Sequence, residues 1–186
     1  MLARSPRPGL AALSIAAMLA ACQQPHTPAP AATPLAQSQP GLALSILPIG
    51  PSSLPLGQTI GFRLMSVSGG YGHLYVLDTS GAVQAWAENL PLRPGLGVEY
   101  PTRDSGLLVR ASPPEGTDHV IFLATLQPFS GFVDGRGGTM TEPVTLPYTA
   151  VEFRRQLDAV ANSLPARSWG RSEIDIRVFD PVEPSP

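Results

Sequence analysis

Proline and glycine break this chain so often, 22 and 18 times in 186 residues, that long helices cannot run through most of it. Proline fixes φ and removes a backbone donor, and glycine carries an entropic cost inside any regular element. What remains compatible is a set of short extended segments joined by turns. An apolar content of 43% lets such segments share a core. The single cysteine, Cys22, excludes an internal disulfide and a CxxC metal or redox site, so that core must hold the fold by itself.

Charge removes further classes. All 12 basic residues are arginine, set against 14 acidic ones for a net charge of -2. Without lysine there is no phosphate-binding loop of the usual kind and no Schiff-base chemistry. Nor is there a basic stripe to release counterions, which argues against a nucleic-acid partner.

Residues 1–10 carry Arg4 and Arg7 and no acid, and residues 11–20 are apolar apart from Ser14. That is the layout of a signal peptide, with an apolar run shorter than the ~20 residues of a membrane-crossing helix. Leu19-Ala20-Ala21-Cys22 resembles the bacterial lipobox. The resemblance implies cleavage after Ala21, with Leu19, Ala20 and Ala21 as the recognition residues, and acylation of Cys22. Several acyl chains make a stable anchor where one would be reversible. Gln23, where an Asp would retain the protein at the inner membrane, implies the periplasmic face of a Gram-negative outer membrane. Residues 23–40 carry no charge and no aromatic side chain, and His26 among them is expected to be solvated. They are expected to form a disordered, Pro-rich tether, reaching ~50 Å at ~3.1 Å per residue. The expected organisation is a signal peptide over 1–21, lipidated Cys22 and tether over 22–40, and one domain over 41–186.

Within that domain, period-two alternation predicts strands over Leu42–Leu47 and Thr59–Ser68. Tyr71–Leu77 is apolar on both sides, with Tyr71, His73, Tyr75 and Leu77 on one and Leu74 and Val76 on the other, as a central strand covered twice requires. Asp78-Thr79-Ser80-Gly81 predicts a tight turn into a strand over Ala82–Trp86. Gly106–Ala111 and His119–Thr125 read as two more strands, and Ile174, Ile176 and Val178 mark a last one. Thr149 and Glu152 have capping-box spacing. Phe153, Leu157, Val160, Ala161 and Leu164 then share one helical face until Pro165. The expected fold is mainly β, an antiparallel β-sandwich-like domain with one C-terminal α-helix.

Several of these segments resemble the bacterial envelope family known as domain of unknown function 4384. They are Leu56-Gly57-Gln58, Gly70-Tyr71-Gly72-His73-Leu74-Tyr75-Val76-Leu77-Asp78 followed by Gly81 and Val83, then Gly95 to Pro101 and Glu115 to Ala124. Glu88-Asn89 stands where the family often has Pro-Asn. The resemblance covers roughly half of the mature chain and implies a β framework rather than a chemistry. It also implies a binding or scaffolding role on tethered envelope proteins, sometimes beside type VI secretion.

Candidate chemistry is sparse. His73 and His119 lack the spacing of a metal site, and no metal or other cofactor is expected. Ser68, His73 and Asp78 supply the residue types of a triad without the nucleophile-elbow pattern. A cell-envelope hydrolase using His73 or His119 as base is therefore the alternative to a non-catalytic protein-binding module, and a glycan-binding module using Trp86, Trp169 or Tyr148 is a third. Asp134-Gly135-Arg136-Gly137-Gly138 reads as a flexible loop rather than an anion nest or a Ca2+ loop. The long segment Phe129–Pro147 exceeds an ordinary connection. Phe129, Phe132, Arg136 and Met140 within it are the expected contacts for an envelope protein partner.

Overall fold

The computed structural model describes residues 35–38, 41–133, 139 and 141–181. In chain order the elements are β1 (Leu35–Ser38), β2 (Leu44–Pro48), β3 (Ser53–Pro55), β4 (Phe62–Ser66), β5 (Gly70–Leu77) and β6 (Val83–Leu92). They continue with β7 (Val98–Tyr100), β8 (Gly116–Thr125), β9 (Val144–Leu146), α1 (Ala150–Ser163) and β10 (Trp169–Phe179). Among the described residues the fold is mainly β, with two sheets and one α-helix. A seven-stranded sheet runs β1-β10-β8-β5-β6-β9, with β3 also paired to β10, and a three-stranded sheet runs β2-β4-β7. All pairings are antiparallel except β3 with β10.

The double-sided pattern of β5 decides the layering. Leu74 and Val76 pack in one apolar cluster with Leu44 and Ile46 of β2 and Phe62 and Leu64 of β4, so the two sheets meet face to face. Tyr75 and Leu77 pack in a second cluster with Phe153, Leu157 and Ala161 of α1. The helix therefore covers the side of the large sheet that the small sheet leaves open. An isolated helix of 14 residues is marginal in water, so α1 depends on this docking. Its start follows the sequence signal: Glu152 N–H donates to the Thr149 hydroxyl, and Thr149 N–H donates to the Glu152 carboxylate. Arg154 pairs with Glu173, and Arg171 with Asp158, tying the polar flank of the helix to β10.

Three expectations are corrected. Gly106–Ala111 is not a strand of either sheet; it touches residues 57–60 through a single bridge, Thr59 to Arg110, and a few backbone bonds. Gly106 sits at φ 67 and Pro113 and Pro114 have no N–H, so extended pairing cannot spread in either direction. The tether is not irregular up to residue 40, because Leu35–Ser38 lies along β10, opposite Arg171 and Glu173. These four residues contain no proline, and the outer edge of β10 offers them unpaired backbone groups. Finally, Phe129–Pro147 is not irregular throughout, since Val144–Leu146 pairs with Val83–Ala85 of β6.

Candidate functional site

His73 lies opposite a bulge in β6. Gly72 pairs with Leu90 and Leu74 with Ala87, so Glu88 and Asn89 together face one residue of β5. Asn89 takes φ 53, a backbone state in which asparagine is among the better tolerated side chains. The bulge aims the Asn89 amide at His73: its N–H donates to Nδ1 at 3.2 Å. That bond assigns the ring proton to Nε2, which lies 3.2 Å from the Thr125 hydroxyl oxygen. Thr125 in turn donates to the Gln127 carbonyl oxygen at 2.6 Å. His73 is fully buried, and burial pushes its pKa down to about 3. The ring is therefore neutral near pH 7 with its only basic lone pair already in use. Ser68 and Asp78 are not its partners: the Asp78 carboxylate accepts from Ser80 and the Ala82 amide.

Glu88 completes this clasp. Its carboxylate accepts from the Tyr75 hydroxyl at 2.9 Å and from the amides of Phe132 and Val133 at 2.7 and 3.4 Å. Burial pushes the Tyr75 hydroxyl well above its ordinary range, and the adjacent Glu88 charge adds to this. Gly131, at φ 60, is required here, because a Cβ at that position would fall on the carboxylate. The Asn89 side chain meanwhile exchanges two hydrogen bonds with the Phe129 backbone, like a missing rung of sheet.

Phe129 and Phe132, expected to face a partner, turn inward instead. Phe129 packs on the His73 ring with centroids 4.3 Å apart, and Phe132 meets Tyr75 and Phe153 at 5.6 and 5.0 Å. The reason is the clasp: once Glu88 and Asn89 hold the backbone of 129–133, both rings are delivered to the helix-side core. Trp86 and Trp169 are buried as well, which leaves neither as an exposed sugar platform. Arg136 and Met140, with Asp134 and Gly135–Gly138, lie outside the described residues, as do Leu19, Ala20, Ala21 and Cys22. Among the described residues no group of three or more His, Cys, Asp or Glu side chains is placed to hold a metal ion. No helix among them is long and apolar enough to cross a membrane. His119, half exposed, is held by Asp175 on the neighbouring strand, Nδ1 to Oδ1 at 2.6 Å.

The feature that sequence reasoning missed is at the opposite end of the sandwich. There the segment around 109–114 covers the large sheet in place of a strand. It does so incompletely, leaving a partly open cavity of about 80 Å³. One wall is Val76, Trp86, Val120 and Ile176 of the large sheet; the other is Phe62, Val109 and Ala111. Trp86 is held rigid, its indole N–H donating to Gln84 at 2.9 Å and its ring stacked on Tyr100 at 6.1 Å.

Asp78, Thr79 and Asp118 border the cavity, with Arg110 also on the rim, its guanidinium directed to the Gly57 carbonyl. Asp118 accepts at Oδ1 from both the amide and the hydroxyl of Thr79. Gly116 makes this approach feasible, since a Cβ there would overlap the Thr79 side chain. Burial raises the Asp118 pKa above the usual carboxylate value and the neighbouring Asp78 charge adds to this, against the lowering effect of the Thr79 hydrogen bonds. The Asp-Thr-Ser-Gly turn thus reads as a tight hairpin in sequence, but only the fold shows that it sits over Asp118 beside an apolar space.

The chain matches no family model, no curated protein and no solved structure, so the likeness to domain of unknown function 4384 rests on its motif residues alone.

Proposed function

We infer that this chain is a lipid-anchored envelope protein whose β domain is a non-catalytic binding module for another envelope protein. The observation that carries the binding role is the partly open cavity at the end of the sandwich, because space left between apolar walls forfeits packing contacts that an occupant would supply. The use of both His73 nitrogens inside the fold weighs against that residue as a base. The sequence at Leu19 to Cys22 supports attachment to the outer membrane, and the family resemblance adds a scaffold role that extends to type VI secretion.

Filling the cavity tests the binding role. Ala111→Leu should abolish crosslinking to the envelope partner while the domain stays folded, with Ala111→Val as the gentler plug. Full crosslinking by both stable variants would overturn the reading. The anchor is tested separately, by labelling cells with an alkyne analogue of palmitate. Cys22→Ala should lose the label and accumulate as uncleaved precursor, whereas equal labelling of the variant would remove the lipoprotein assignment.

A further inference from the structure

The shape and charge of the cavity select among occupants. A dry cavity of ~150 Å³ holds a benzene ring. A space of about 80 Å³ therefore suits an aliphatic side chain of valine or leucine size rather than an aromatic one. At the rim, protein donors converge on one oxygen of each carboxylate. Asp78 Oδ1 takes Ser80 and Ala82, and Asp118 Oδ1 takes the two Thr79 donors. Among the described residues the second oxygen of each has no protein donor, and no arginine there forms an ion pair with either group. Two carboxylates held in place with free acceptor atoms, next to partly desolvated walls, favour a cation there.

We propose that the cavity recognises an aliphatic side chain with a cationic nitrogen beside it, as presented by a partner segment in which leucine or valine adjoins a basic residue. The inference rests on the binding reading above. The aliphatic group packs against Val76, Val109, Ala111 and Ile176, while the cation takes the free oxygens of Asp78 and Asp118. Arg110 on the same rim disfavours an occupant whose charge extends toward Gly57, which orients the cation to the Asp side.

Three probes of one shape separate the contributions: 3-methylbutylammonium, 3-methylbutan-1-ol and 4-methylpentanoate, each titrated into the full domain by NMR. The ammonium should bind several-fold more tightly than the alcohol, and the carboxylate more weakly than both. Asp118→Asn should bring the ammonium down toward the alcohol without changing the alcohol itself, and Ala111→Leu should remove all three. Equal binding of ammonium and alcohol, with both lost in Ala111→Leu, would overturn the cationic selectivity and leave the cavity reading standing. Binding of none of the probes would overturn both.

Discussion

At the β5–β6 bulge, on the helix side of the large sheet, His73, Glu88, Asn89 and Thr125 are buried and each is hydrogen-bonded within the chain. At the cavity end of the opposite side, apolar walls border a partly open space, and among the described residues Asp78 and Asp118 each keep an oxygen clear of protein donors. The two regions hold comparable residue types, yet the first resembles the satisfied polar network of a core and the second a recognition surface. The difference shows that a titratable side chain points to function less by its identity than by what remains unmatched around it. A histidine with both nitrogens engaged has no capacity left, whereas a carboxylate oriented through one oxygen still has an acceptor to offer.

The sharpest way to break this contrast is to remove Glu88. Glu88→Ala strands the Tyr75 hydroxyl and the Phe132 and Val133 amides, and should cost about 3 kcal/mol in urea unfolding. A loss below about 1 kcal/mol would mean that the clasp is not the keystone of its side. Phe132→Ser comes next, at about 2 kcal/mol, since the ring is only partly buried and a full core truncation costs more. If that variant keeps its stability but loses a crosslinked partner, Phe132 belongs to a binding surface after all.

The pH dependence of stability offers a smaller and more diagnostic effect. His73 titrates near 6.5 when unfolded and about 3 when folded, so below pH 6.5 the unfolded chain takes up a proton that the native state refuses. Its contribution is complete above pH 6.5 and is lost as pH falls toward 3, with a slope approaching about 1.4 kcal/mol per pH unit. His73→Gln should flatten that slope between pH 6 and 4; an unchanged slope would show that the ring is hydrated or charged in the fold. The smallest effect has the opposite sign. Asp118→Asn relieves a carboxylate disfavoured by burial and by Asp78 while keeping an acceptor for Thr79, so its melting temperature at pH 7 should rise slightly. A fall would assign Asp118 to the framework instead of to recognition.

Periodicity and punctuation carried most of the framework. The alternation of Leu42–Leu47 and the two-sided apolarity of Tyr71–Leu77 are local consequences of strand geometry, as the Thr149–Glu152 box and the Phe153 to Leu164 face are of helix geometry, so each is legible without a fold. The lipobox likeness at Leu19 to Cys22 is likewise contained in consecutive residues. What the tertiary structure decided was every relation between distant segments. Glu88-Asn89 reads as an ordinary polar pair, and only the register of β5 against β6 makes it a bulge that captures residues 129–133, 40 or more positions away, and turns Phe129 and Phe132 inward. Gly106–Ala111 has the alternation of a strand but finds no ladder to join, because pairing depends on neighbours as well as pattern. The cavity has no signature in the chain at all: it exists because the segment around 109–114 covers the large sheet without joining a ladder, and such a gap appears only when the sheets are stacked.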